Sequence, residues 1–268
     1  MMAPRSAVEM LRIMFRHRRI LSSVTRVELA KRYAGSAIGI AWVLLYPVLL
    51  LSIYLFVYLV IFRMRFPGFS EMDYTLYVFS GLVPYIGFME ALTTGALSIK
   101  QNMHLIRNVM LPIELIPVRT VTVALASEVV ALAVVILLAL AFGRLSPHVV
   151  WLPIIIALQI LFLVGLVLIV AALAVALPDV SYFVNLAVLL LMFVSPIGFK
   201  PDMVPGGFWP IIYLNPIYYM ADSFRMSLLS VQQIDLGVLA VFAAVSIGTF
   251  AVGAAFFRRF KGVLIDYE

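Results

Sequence analysis

Six apolar stretches alternate with short polar segments along the chain, at residues 36–62, 76–99, 118–142, 149–177, 182–199 and 236–257. A helix needs about 20 mainly apolar residues to cross the hydrocarbon of a bilayer. The first stretch has no charge between Arg32 and Arg63, the second is interrupted only by Glu90, and the third carries Glu128. The fourth is uncharged, and the fifth is short and closes on Ser195-Pro196. The pattern predicts an all-α polytopic membrane protein, a single transmembrane domain over 1–268 with six spans. An even number of spans places both termini on one side.

The segments between the stretches carry patterns of their own. In 4–33, Val8, Leu11 and Phe15, then Leu21, Val24 and Val27, recur at helical spacing, with Arg12, Arg16, Arg19, Arg26 and Lys31 on the remainder. Such a basic amphipathic helix lies in the interface with its cations on anionic headgroups. It serves either as a topology anchor or as a collar or gate at the mouth of the bundle. Segment 101–117 is bracketed by Pro112 and Pro117 and keeps Leu105, Ile106, Val109, Met110 and Leu111. That much aliphatic surface in a loop docks either on the protein's own membrane face or on a partner. Segment 195–235 holds five prolines among aromatic residues, and Asn215-Pro216 reads as an N-cap followed by a first-turn proline. Two short, partly re-entrant helices are expected over 200–230, as an aromatic lid or an interfacial belt.

Composition agrees with this pattern. Hydrophobic residues make up 65% of the 268 and charged residues 12%, where a soluble domain carries roughly a quarter charged. This excludes an ordinary soluble enzyme, a disordered chain and a nucleic-acid binder, despite a pI near 9.6. The basic excess is asymmetric. Fourteen Lys and Arg fall in the N-terminal segment, the 100–119 segment and the tail, against Arg63, Arg65, Arg144, Lys200 and Arg225 in the opposite segments. The positive-inside rule then puts both termini in the cytoplasm. The basic N-terminus precedes a full-length apolar stretch rather than a short core with a small-residue cleavage site, so no cleaved leader is expected.

No catalytic constellation is visible. There is no cysteine, His17, His104 and His148 are isolated, and no phosphate-cradling G-x-x-x-x-G-K-[S/T] occurs. The chain is therefore expected to be no enzyme and to bind no metal or cofactor itself. Glu90 and Glu128 are intramembrane acids, which face a bundle interior or water. Neither has an obvious basic partner within a span. They are either structural hydrogen-bonding groups or part of a polar path. Tyr46, Tyr54, Phe56 and Tyr58 on the first stretch could line such a path, since aromatic faces stack on the C–H surfaces of sugar rings, or they could face lipid and core.

The order of these pieces resembles the membrane subunit of type-2 ABC exporters of polysaccharides, the family of O-antigen, capsule and teichoic-acid permeases. The resemblance begins at 28–62, where Arg32, Tyr33, Gly35, Ser36, Gly39, Trp42 and Pro47 follow the family's pattern. It continues in "FSGLVPYIGFMEAL", with Tyr85 where the family has tryptophan, and in "NVMLPIELIPV", with Pro112, Glu114 and Pro117 at the family spacing. "LPDVSYFVNLAVLLLMFVSPIGF" matches a further element with Leu177-Pro178 in place of the family's arginine, and "LNPIYYMADSFR" matches the family's Asn-Pro element before an arginine.

The resemblance implies a homodimer in the bacterial inner membrane with a channel between the two copies. It also implies two copies of a separate nucleotide-binding subunit that binds ATP and magnesium, and a polyprenyl-pyrophosphate-linked glycan as cargo. Leu105, Arg107, Leu111, Pro112, Ile113 and Glu114 would couple to the ATPase subunit. Arg26, Lys31 and Arg32 would meet the pyrophosphate. Tyr46, Tyr54, Phe56, Tyr58, Glu90 and Glu128 would line the channel, and Phe199, Trp209, Tyr213, Tyr218 and Tyr219 would form the outer gate. The same fold also serves exporters of small lipophilic drugs or lipids. A scaffold subunit would leave the apolar 101–117 loop unexplained, and a channel would need a selectivity filter that is not apparent.

Overall fold

Ser70 opens the helix around which the rest is built. Its hydroxyl accepts the Asp73 backbone N–H at 3.1 Å while its own N–H donates to the Asp73 carboxylate at 3.0 Å, a reciprocal cap. The computed structural model describes residues 2–32, 34–61, 63, 68–103 and 112–266. Its helices are α1 (Met2–Arg16), α2 (Arg18–Arg32), α3 (Trp42–Leu55, continued by a π-helical turn Phe56–Ile61), α4 (Glu71–Ala96), α5 (Ser98–Gln101) and α6 (Leu115–Ala141). They continue with α7 (Leu152–Ala176), α8 (Val180–Val194), α9 (Trp209–Tyr213), α10 (Pro216–Leu228) and α11 (Leu236–Asp266).

Helix α4 is central. Its most apolar window is 83% buried, against 11% for Trp42–Ile61, and it packs on α6, α7, α8 and α10. An aromatic ladder runs out from it: Phe88 stacks on Phe162 of α7 at 6.1 Å, and Phe162 meets Phe242 of α11 edge-on at 6.3 Å. Helices α7 and α11 form the most extensive pair, because glycines let their backbones touch. A Cβ on Gly253 would lie 2.2 Å from the Gly165 carbonyl oxygen. Small residues at such crossings are how helices approach closely where burial from water cannot drive association.

Among the described residues, five helices are long and apolar enough to cross a membrane: Trp42–Ile61, Glu71–Ala96, Leu115–Ala141, Pro147–Ala176 and Leu236–Gly262. The stretch at 182–199, expected as a sixth, forms only the 15-residue α8. At 1.5 Å per residue such a helix reaches about 22 Å, less than the roughly 30 Å of hydrocarbon. Pro196 is the reason. The residue before a proline is driven out of the helical region, and Ser195 is extended at φ −77°, ψ 141°.

The N-terminal segment also departs from one continuous helix. It is two helices joined at His17, whose Nδ1, at 2.9 Å, shares the Ile13 carbonyl with the residue's own backbone N–H at 3.0 Å. Of the two short helices expected over 200–230, one is the five-residue α9, preceded by 3₁₀ turns at Pro201–Met203 and Gly206–Phe208. The other is α10, which opens as its sequence predicts, with Asn215 Oδ1 accepting the Ile217 N–H at 3.0 Å and Pro216 in the first turn.

The α7–α11 contact yields a direct test. Gly253→Val should lower stability in detergent by about 3 kcal/mol, the upper end of overpacking costs. Gly248→Ala on α11, where a Cβ meets nothing within 4 Å, should not lower the unfolding temperature, since Ala is the better helix former. Equal melting of both variants would contradict the close crossing.

Candidate functional site

Two polar constructions stand out in this apolar bundle, one at each end. At the proline-rich end, the residues around Pro196 leave the helix with their carbonyls unpaired by regular structure. Arg225 of α10 meets them. Its guanidinium is completely buried, and Nη2 donates to the Pro196 and Ile197 carbonyls at 2.7 and 2.8 Å. Nε donates to the Tyr77 carbonyl at 3.2 Å, and the plane lies 3.9 Å over the Tyr77 ring. Asp222, one turn back, sits 4.0 Å away.

Other donors finish the turn. Asn215 Nδ2 donates to Ser195 Oγ at 2.8 Å, Tyr74 to the Gly198 carbonyl at 2.9 Å and Tyr77 to the Phe199 carbonyl at 3.4 Å. Two glycines make room. A Cβ on Gly81 would lie 2.6 Å from Arg225 Nη2, and one on Gly198 would lie 2.5 Å from the Tyr58 ring. Beside this turn, Arg144 pairs with Asp73 at 2.8 Å, and residues 144–146 bond to 228–230 through an isolated antiparallel bridge.

The expected outer aromatics gather nearby. Tyr213, Tyr218 and Tyr219 form edge-on pairs at 5.6 and 4.9 Å, and Tyr219 donates to the Tyr213 carbonyl at 2.8 Å. Burial, with Asp222 close by, pushes the Tyr218 phenol above its ordinary range and keeps it neutral. Trp209 is half exposed and donates to the Val204 carbonyl, and Phe199 is half-buried.

At the basic end, Arg32 closes α2 and reaches Glu90 of α4 at 2.6 Å. The partner that Glu90 lacked within the spans comes from the N-terminal helix. The pair lies in an open groove of about 590 Å³ with Trp42, Tyr46, Met89 and Asn185. A narrow recess of about 50 Å³ continues from it past Tyr46 and Gly87 to Glu128. Glu128 is only 4% exposed and accepts from Gln159 Nε2 of α7 at 2.9 Å, and the same amide reaches the Pro84 carbonyl at 3.3 Å. Gly87 is needed beside it, since a Cβ there would fall 1.8 Å from the Glu128 carboxylate.

The six expected channel residues are thus divided. Glu90 and Tyr46 share the groove, Glu128 lies behind it, and Tyr54 and Tyr58 stack on each other at 5.8 Å farther along. Phe56 is exposed on the π-helical turn. Arg26 and Lys31 are exposed on α2. Thr25 is hydrogen-bonded to Thr122 at 2.8 Å, and Glu28 lies 3.8 Å from Arg119, which moors α2 against α6.

Of the expected coupling residues, Leu105, Arg107 and Leu111 lie outside the described residues. Pro112, Ile113 and Glu114 form the turn into α6, and Glu114 pairs with Lys261 of α11 at 2.6 Å. Arg258, one turn earlier, pairs with Glu9 of α1.

Residues 20–229 match the family profile described as ABC-2 type transporter. The chain belongs to that family. Among curated proteins it is 27% identical to the O-antigen export system permease protein RfbA of Myxococcus xanthus, over 90% of this chain and 92% of that one. It is 30% identical to the protein of the same name from Klebsiella pneumoniae, over 77% of this chain and 78% of that one. A second Klebsiella pneumoniae protein of that name is 28% identical over the same shares.

In this ABC-2 family member, the buried hub at Arg225 was only half visible in the sequence. The signal was an arginine set between Phe224, Met226 and Leu228 where a solvated face would be polar. Its loss should be severe. Arg225→Met leaves the carbonyls of Tyr77, Pro196 and Ile197 without their donor in an apolar interior, which should cost about 3 kcal/mol or more. Arg225→Lys, with a point charge in place of a planar fork, should recover only part. Thermal unfolding of the purified variants measures this, and a wild-type melting temperature in Arg225→Met would contradict the hub.

Proposed function

We propose that this chain is the permease subunit of an ATP-driven exporter that carries an O-antigen-like polysaccharide, linked to polyprenyl pyrophosphate, across the bacterial inner membrane. The observation that carries this reading is the similarity to an O-antigen export permease along 90% of this chain and 92% of that relative. The chain has no nucleotide-binding motif, so the ATPase, with its ATP and magnesium, is a separate subunit bound in two copies. Its docking surface is the 101–117 segment. The Lys and Arg asymmetry supports a cytoplasmic location for both termini.

Two features support a homodimer with the pathway between copies. The apolar faces of Trp42–Ile61 and α8 stand exposed, with Tyr182, Phe183 and Phe193 each about 70% accessible. Faces of that extent need either lipid or a second subunit. The groove holding Arg32, Glu90 and Tyr46 opens beside them.

The groove suits the lipid-linked head of such a cargo. A pyrophosphate presents more charge and more acceptor oxygens than Glu90 and competes with it for the Arg32 fork. Arg26 and Lys31 extend the cationic surface along α2. Displacing Glu90 would loosen α2 from α4, which links substrate arrival to the position of the N-terminal helices.

Replacing Arg26, Lys31 and Arg32 together by Gln should abolish surface polysaccharide while the permease still co-purifies with its ATPase. Comparison of Arg32→Gln with Glu90→Gln separates substrate binding from simple helix mooring. Arg32→Gln should lose export by tenfold or more, on the order of one charge-assisted contact, while Glu90→Gln retains most of it. Equal loss in both would mean that Arg32 serves only to hold Glu90. Normal surface polysaccharide in a strain lacking the chain would overturn the export reading itself.

A further inference from the structure

At the proline-rich end a second cavity, of about 270 Å³, opens between the start of α4, the 200–202 turn, the α9–α10 helices and residues 231–232. The start of α4 meets three stretches of 200–232 there, and what they bring is chemically specific. Tyr213 and Tyr218 line it with two rings set perpendicular to each other. Asp202 and Asp222 supply carboxylate acceptors, Gln232 an amide and Lys200 an ammonium. The polar groups are held in place. Gln232 Nε2 donates to Asp222 Oδ1 at 2.7 Å, and Lys200 Nζ rests 4.0 Å over the Phe69 ring.

The charges balance locally. Asp222 lies 4.0 Å from the buried Arg225, and Asp202 shares the cavity with Lys200. Neither a cation nor an anion is favoured by such a site. A neutral ligand with one apolar face and a rim of hydroxyls is. The volume falls just below the roughly 300–1,000 Å³ of drug-sized pockets, enough for one ring and too little for a chain.

We propose that this cavity binds a single neutral pyranose unit of the exported glycan on the outer side of the permease. Tyr213 takes the C–H face of the ring, Tyr218 closes on its edge, and Asp202, Asp222 and Gln232 take its hydroxyls. This deepens the export reading and rests on it for the source of the sugar. A site for one unit at the exit would hold the emerging chain against back-sliding. Its wall is Tyr77, whose ring carries the Arg225 guanidinium, so occupancy bears directly on the Ser195–Phe199 turn.

The test is saturation-transfer NMR on the full-length protein in lipid nanodiscs, with the methyl pyranosides of glucose, galactose, mannose, N-acetylglucosamine and rhamnose as probes. At least one should show transfer to its ring C–H protons. The effect should fall about threefold to tenfold in Tyr213→Ala and in Asp202→Asn. Both side chains are exposed, and unchanged circular dichroism confirms that the variants fold. No transfer from any of the five, or equal transfer in wild type and both variants, overturns the site. Surface polysaccharide in a strain lacking the chain judges the export reading separately. Its loss without sugar binding rejects the cavity alone, and its retention with specific binding rejects export while keeping the sugar site.

Discussion

A buried arginine is the constraint on which the proline-rich end depends. Pro196 ends α8 early and sends the chain through Ser195–Phe199 without a helical partner for its carbonyls. In an apolar interior each such carbonyl must find a donor. Arg225 satisfies two of them and the Tyr77 carbonyl besides, through one rigid fork. Gly81, with no Cβ, leaves the space that the guanidinium needs. Because the fork touches α4, the turn after α8 and α10 at once, these three elements cannot shift independently. The tyrosines of α9 and α10 and the cavity beside them inherit their positions from it.

The basic end is organised differently, by ion pairs between elements far apart in the chain. Arg32 joins α2 to α4, Lys261 joins α11 to the turn before α6, and Arg258 joins α11 to α1. Glu114 stands at the turn into α6, so its pairing with Lys261 ties that turn to α11, and the Glu9–Arg258 pair ties α11 to α1. Partly exposed ion pairs of this kind each contribute about 1 kcal/mol or less.

Much of the helical framework was legible because it follows from hydropathy and from local chemistry. The α10 start was marked by Asn215-Pro216, and the end of α8 by Ser195-Pro196. What was not legible depends on pairings across long sequence separations. Glu90 looked unpartnered because Arg32 lies outside every apolar stretch. Glu128 and Gln159 sit on different helices, and their contact depends on the missing side chain at Gly87. The aromatic residues of the first stretch could not be separated by periodicity, since apolarity all round that helix leaves no favoured face. The fifth stretch carries its Ser195-Pro196 stop in the sequence, but hydropathy alone does not show that the 15-residue helix before it is too short to span.

Passage of a polysaccharide across the membrane through this chain, driven by a separate ATPase, is the central proposal. The most direct measurement reconstitutes the permease with its ATPase subunit in proteoliposomes, with the nucleotide-binding subunits facing outward, and adds polyprenyl-pyrophosphate-linked glycan to the outside. Protection of the glycan from an added glycosidase then reports its movement into the lumen. Protection that grows with ATP, and fails to grow with a non-hydrolysable analogue, is the predicted result. ATP hydrolysis at full rate with the glycan still wholly digestible would contradict it.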